Sequence, residues 1–297
     1  MTKLIAGTRG SSLARKQTQR VVESLQKVWP DLKIEIRVIK TRGDRLQNIP
    51  LVQIGGKGLF TKELENSLIN REIDFAVHSL KDLPIEQPTG VTIGAYLPRD
   101  RPNDVLVSKG KLSLDAIPRH GIIATGSLRR KFQLRHYRRD LCIVDIRGNI
   151  ETRLRKLQES DWHGLILAYA ALKRLEKIDL IGEVIPQKMM YPAVGQGTVA
   201  VECRDEIAMR GMFSRINHHE SALCARAERA FLKGVGGGCQ IPLGVISTVQ
   251  GEQLTLSGVY MPKEDRIVQD CAVGTTSFPE GVGQDLARKI SGKVKLG

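Results

Sequence analysis

The chain is expected to be an α/β protein of two lobes followed by a small α+β domain, and three observations carry that expectation. Short β-branched runs alternate with helical spacings as far as about residue 200, then the alternation stops. The pattern starts afresh after Pro98 and Pro102. An internal echo joins the two halves: GTRGSSLAR from Gly7 and ATGSLRR from Ala124 each read as strand, small-residue turn, serine and helix start.

Residues 4–8 read as the first strand and 11–28 as the first helix, and Ile34, Ile36 and Val38 alternate as one face of the next strand. Residues 41–58 carry Gly43, Gly55, Gly56 and Gly58 with little periodicity and read as a long mobile loop, a length that is usually functional. Helical spacing returns at Leu64 and Leu68, and 73–77 is a short buried-type strand running into His78, Ser79, Leu80, Lys81, Asp82, Leu83 and Pro84. In the second lobe, strands are expected at 104–107, 122–125, 143–146 and 165–168, with helices from Ser127 and over 150–158. YPAVGQGTVAVEC, from Tyr191, reads as a hinge and a strand returning to the first lobe. A helix over 220–232, strands over 243–249, 253–260 and 266–273, and a helix near 285–290 make the α+β part. The expected domains are therefore 1–98 with 198–216, 99–197, and 217–297.

A formal charge of +14 calls for an anionic partner: nucleic acid, a lipid surface or a polyanionic small molecule. Aromatic residues make up only 4%, too few for base-stacking platforms, and there is no zinc-finger spacing or basic-region heptad. The densest basic run, SLRRKFQLRHYRRD over 127–140, is either a nucleic-acid-facing helix or a solvated helix face. No apolar run is long enough to span a bilayer, and the first residues enter a strand directly, so a cytoplasmic protein is expected. Five cysteines without paired spacing argue against a disulfide framework. Cys142, Cys203 and Cys271 in strand-like runs, and Cys224 on a helix-like segment, are expected to be small buried hydrophobes.

The fifth cysteine differs. Cys239 lies in GVGGGCQIPLG, where Gly234, Gly236, Gly237 and Gly238 leave the loop almost bare and Pro242 fixes its exit, so the thiol is presented rather than packed unless its place in a glycine turn is incidental. Asp82 follows a buried-type strand, where α/β folds place ligands; its carboxylate suits a developing cation or an N–H donor, or else it is a turn aspartate. Arg9, Arg42, Arg129, Arg130, Arg147, Arg153 and Arg174 fall at turns and helix starts, and their forks suit a ligand bearing many carboxylates held between the lobes. Ser11 and Ser127 read as N-caps of helices whose first N–H groups favour an anion. His218, His219 and Glu220 lack a second ligand cluster, so a helix start is favoured over a metal site. No phosphate-binding loop or serine-nucleophile elbow appears.

TRGD from Thr41, GGKGLFTKELE from Gly55, AVHSLKDLP from Ala76, SLRR from Ser127, RGNIETRLRKL from Arg147, LAYAALKRL from Leu167, PAVGQG from Pro192, NHHE from Asn217, AERAFL from Ala227 and the GGGCQIPLG loop occur in order over nearly the whole chain. Together they closely resemble the hydroxymethylbilane synthase (porphobilinogen deaminase) family. The resemblance implies two lobes of the periplasmic-binding-protein or transferrin type, and a third domain that carries a covalent dipyrromethane primer on Cys239. It implies a cytoplasmic, monomeric transferase of haem-type tetrapyrrole biosynthesis that condenses four porphobilinogen molecules with loss of ammonia and releases hydroxymethylbilane by hydrolysis. Asp82 is then the catalytic carboxylate. Lys81, Ser127, Arg129 and Arg130, with Asp82, would hold the primer; Arg9, Ser11, Arg147, Arg153, Arg174 and Gln196 would bind substrate; Asp44, Lys57 and Phe60 would belong to the mobile loop. No metal and no nucleic-acid or membrane partner is implied. Leucine at Arg129, Arg130 or Arg153 is expected to stop chain growth early while sparing the fold. Gln53 stands where some relatives are expected to have lysine, Gly126 replaces a serine, and Ser12 stands where proline is common; the first two reduce the anion contacts. A two-lobed polycarboxylate-binding protein without catalysis explains the arginines equally well but gives Cys239 no role.

Overall fold

Residues 3–45, 58–237 and 241–295 are described by a computed structural model, which divides into two units, Met1–Asp100 with Thr198–Ala222 and Arg101–Gly197 with Leu223–Gly297. In the first unit β1 (Lys3–Thr8), β2 (Lys33–Val38), β3 (Phe75–Ser79), β4 (Val91–Tyr96) and the later β10 (Val199–Arg204) make one sheet in the order β2-β1-β3-β10-β4. β1 is parallel to β2 and β3, whereas β10 is antiparallel to β3 and β4. The second unit repeats this with β5 (Asp104–Ser108), β6 (Ile122–Ala124), β7 (Cys142–Val144), β8 (Gly164–Ala168) and β9 (Glu183–Val184), ordered β7-β6-β8-β5-β9. Here β6 is parallel to its neighbours, and β5 is the reversed strand in fourth place. The echo in the sequence is thus a topological repeat, because β1 and β6 hold the same place and each feeds a serine-capped helix.

Both sheets are covered on both faces, which is why their central strands read as nearly continuous apolar runs. Phe75 and Val77 of β3 face a core with Val199, Val201 and Phe213, while Ala76 faces Leu64 and Leu68. Leu106 and Ile166 likewise point to one side of the second sheet, and Val105, Val107, Leu165 and Leu167 to the other. The strand expected at 73–77 begins two residues later and keeps His78 and Ser79, and the one expected at 143–146 is Cys142–Val144. β4 and β9 were not expected: VTIGAY does not alternate cleanly, and β9 has two residues. Both lie at sheet edges, as does β2, whose Ile36 and Val38 are exposed.

The C-terminal part is a three-stranded antiparallel sheet of β11 (Leu243–Gln250), β12 (Gln253–Lys263) and β13 (Arg266–Thr275), packed by a helix over Pro279–Lys295 that extends well beyond the expected 285–290. Of the four cysteines expected to be buried, Cys203 and Cys224 are, and burial pushes the Cys203 thiol up to about 12. Cys142 and Cys271 are exposed. Each sits on an edge strand, and on β13 the alternation turns Ala272 inward and Cys271 outward, so an apolar run did not imply burial. Among the described residues no helix is long and apolar enough to cross a membrane.

Candidate active site

In the first unit β1 runs into Arg9 and Gly10, and Ser11 caps α1 (Ser12–Val28) by accepting the Ala14 N–H on Oγ at 3.2 Å. Ser12 takes the first helical position, where proline is equally at home. Beside it, β3 delivers His78 and Ser79 and then a single 3-10 turn, Leu80–Asp82, anchored by the Leu80 N–H on the Thr198 carbonyl at 3.0 Å. These pieces enclose a cavity of about 50 Å³ lined by Arg9, Ser11, Phe60, Thr61, His78, Ser79 and Asp82 among others. That is room for a carboxylate or a water or two. Four residues expected at the site from the sequence, Arg9, Ser11, Phe60 and Asp82, therefore meet at one cavity. Asp82 is exposed, and its carboxylate accepts no hydrogen bond from the described residues, so its charge is available to a ligand.

Arg9 is already engaged. Its Nη2 and Nε meet Asp44 at 2.5 and 3.3 Å, and its guanidinium carbon lies 4.1 Å from the centre of the Phe60 ring. Asp44, on the short helix α2 (Arg42–Arg45), also accepts from the Thr41 hydroxyl at 2.7 Å. Burial alone would raise the Asp44 carboxyl, but Arg9 and Thr41 outweigh it and hold it below the usual carboxylate range. A fork held in this side-on geometry is the one a ligand carboxylate would take.

A buried group that sequence reading missed lies against the same cavity. His78 Nε2 is 3.0 Å from Glu202 of β10, which is completely buried with its second oxygen unpartnered among the described residues. On α3 (Lys62–Ile69), burial pushes the Glu65 carboxyl up, and the Glu202 charge adds to it. The signal was a glutamate inside the apolar strand VAVECR, where period two places it under the sheet with Ala200.

In the second unit Ser127 caps α4 (Leu128–Tyr137), accepting the Arg130 N–H at 3.5 Å. Arg129 and Arg130 turn inward onto Asp104, the first residue of β5, at 2.7 Å each. Burial alone would raise the Asp104 carboxyl, but Arg129 and Arg130 hold it well below the usual range. Gln196 joins them, donating to Asp104 at 2.9 Å and to the Pro102 carbonyl at 2.6 Å. Asp104 was not picked out from the sequence, although an aspartate opening the buried strand DVLVS was the sign of it. Leucine at Arg129 or Arg130 would strip a partner from this buried charge at about 3–5 kcal/mol, so it would cost stability as well as anion contacts. The basic run is no open stripe, because Arg129, Arg130, Arg135 and Arg138 each pair with a carboxylate.

Arg147 and Arg153 are half-buried around α5 (Ile150–Glu159), with Arg153 Nε on the Gly148 carbonyl at 2.8 Å, and buried Arg174 reaches the Gly197 carbonyl at 2.5 Å. Lys81 is half-buried beside Asp82. Gly126 has a steric reason to depart from serine: a Cβ there would lie 2.5 Å from the Ile146 carbonyl oxygen. Gly126→Ser should therefore lower stability by about 1–3 kcal/mol, read from the denaturant midpoint. An unchanged midpoint would show that the Ile146 carbonyl gives way.

Cys239, Lys57 and Gln53, with most of the expected 41–58 loop, lie outside the described residues. The chain leading to Cys239 is described. α8 (His219–Gly234) takes in Gly234, which was expected in the loop, and ends with the Gly237 N–H on the Leu232 carbonyl and the Gly236 N–H on that of Lys233. Gly236 adopts φ +77°, the left-handed conformation such a cap requires. At the other end His218 acts as the cap, its Nδ1 accepting the Ser221 N–H at 3.2 Å.

Residues 4–209 match the family described as porphobilinogen deaminase, dipyromethane cofactor binding domain, and residues 222–292 match the porphobilinogen deaminase C-terminal domain. The chain is 46% identical to the porphobilinogen deaminase of Syntrophomonas wolfei, over 98% of this chain and 95% of that protein. It is 44% identical to that of Moorella thermoacetica, over 98% and 93%. Among solved structures, it is similar to the probable amino-acid ABC transporter extracellular-binding protein ytmK of Bacillus subtilis, with a TM-score of 0.40 at 11% identity, over 73% of this chain and 90% of that one.

Proposed function

The chain belongs to the porphobilinogen deaminase family, and from that premise we propose how its own residues divide the work of condensing porphobilinogen. The reaction itself is the family's: four porphobilinogen molecules are joined stepwise, with loss of ammonia, and leave as hydroxymethylbilane. The observation that carries the assignment within this chain is Asp82, a carboxylate without a partner among the described residues, beside Arg9 and Ser11 at one cavity.

When the C–N bond of the aminomethyl group breaks, its electron pair leaves with ammonia and the pyrrole nitrogen shares the resulting positive charge. Asp82 stabilises that cation, and its exposure lets a ring reach it. Arg9 receives a substrate carboxylate through the edge that Asp44 now fills. In the other unit, the residues present fit a primer bearing carboxylates, because two guanidiniums share one aspartate and keep one uncompensated positive charge. Bound through Cys239, dipyrromethane would supply a nucleophilic pyrrole α-carbon. Arg129, Arg130 and Ser127 hold its acidic side chains; Arg147, Arg153 and Arg174 take those of the growing chain, with Gln196 beside them. The positive charge thus serves a polycarboxylate rather than nucleic acid, in a cytoplasmic monomer.

Brief exposure of the holoenzyme to porphobilinogen should give a mass ladder of primer plus successive rings. Arg153→Leu should truncate that ladder at an early, defined step, and a thermal melt of the same protein should separate lost ligand contact from lost fold, since Arg153 also donates to the Gly148 carbonyl. A wild-type ladder with only uniform loss of affinity would reduce the arginines to general steering.

A further inference from the structure

Arg129 and Arg130 are adjacent, buried and like-charged, which is unfavourable unless something between them compensates. Asp104 does so with both oxygens. Oδ2 accepts from Arg129 Nη1 at 2.7 Å, and Oδ1 accepts from Arg130 Nε and Nη2 at 3.0 and 2.7 Å and from Gln196. The remaining contacts are unequal. Arg129 Nη1 also reaches the Tyr191 carbonyl at 2.5 Å, so that nitrogen is saturated, while its Nε and Nη2 have no partner among the described residues. Arg130 has both Nε and Nη2 on Asp104, so its side-on edge is closed, and its Nη1 donates to the Ile166 carbonyl at 3.0 Å.

We propose that Asp104 is a positioning residue that permanently neutralises one of the two charges and locks Arg130, so that the cluster receives a single ligand carboxylate, side-on, through the Nε and Nη2 edge of Arg129. The proposal rests on the reading above that this pair binds carboxylates of the primer. Asp104 contributes in two ways. It fixes the fork of Arg129 in one orientation, which limits the freedom lost on binding. It also sets the net charge at one, enough to attract a carboxylate without leaving a second buried charge uncompensated.

The test is a charge-balance rescue read by intact mass of purified protein, with the KM for porphobilinogen as a second readout. Arg130→Gln leaves Asp104 and Arg129 neutral overall, and primer occupancy should fall at least about tenfold, as for loss of a charge-assisted partner. Removing the carboxylate as well, in Arg130→Gln with Asp104→Asn, restores one net charge on Arg129, and occupancy should return to within about threefold of wild type. Rescue by deleting a second polar charge is not what a merely structural aspartate would give. If both variants fold by thermal melting and the double variant is no better than Arg130→Gln, the proposal is overturned. Failure of the double variant to fold would overturn it too, because the charge-balanced cluster would then not be self-sufficient. Full occupancy and wild-type KM in Arg130→Gln alone would instead refute the reading of the pair as a carboxylate receptor. Should Asp104→Asn by itself be insoluble, the comparison still decides, since it uses only Arg130→Gln and the double variant.

Discussion

Cys239→Ser protein should purify at the mass of the bare polypeptide and turn over no porphobilinogen. A serine hydroxyl is nearly isosteric with the thiol but a far weaker nucleophile, so the thioether to the primer would not form. The fold should be unaffected, because α8 is closed by its glycine cap before the chain reaches residue 239. The other cysteines supply the controls, and their burial decides which matter. Cys203 is buried with its thiol pushed up to about 12, so it is no competitor, and Cys224 is buried. Cys142 and Cys271 are exposed, and serine at either should leave both the primer mass and turnover unchanged. Primer retained on Cys239→Ser, or lost from Cys142→Ser or Cys271→Ser, would place the attachment elsewhere.

Asp82→Asn should keep the primer and the fold but lower turnover by about 10²–10⁴, the usual worth of a positioned ionisable group. Asparagine preserves size and loses only the charge. Since Asp82 is exposed and bonded to none of the described residues, melting should shift little, within about 0.5 kcal/mol for a surface change. The loss should appear in kcat, because the cation develops only as the C–N bond breaks; a rise in KM alone would point to ground-state binding. Mass must confirm an intact primer before rates are compared. Near wild-type turnover by primed Asp82→Asn enzyme would make Asp82 a turn residue and remove the carboxylate from the mechanism.

Asp82, Arg9, Ser11 and Ser127 were legible because strand ends, turns and caps are local features, written within a few neighbouring residues. The same holds for the alternating α/β pattern and for the echo that became a repeated sheet order. The family was legible too, from ten ordered motifs. Tertiary structure decided what those residues touch. Arg9 and Asp44 are 35 positions apart, Gln196 and Asp104 are 92, and His78 and Glu202 are 124. No periodicity reports a pairing across such separations, so arginines that looked like free anion receptors proved to hold carboxylates of the chain itself. The exposure of Cys142 and Cys271 was decided in the same way, by which strand ends a sheet and which face the helices cover. What the chain determines on its own is local conformation and the chemistry of each side chain. Which charges are neutralised, and which remain for a ligand, follows only when folding brings distant carboxylates out of water and against particular guanidiniums.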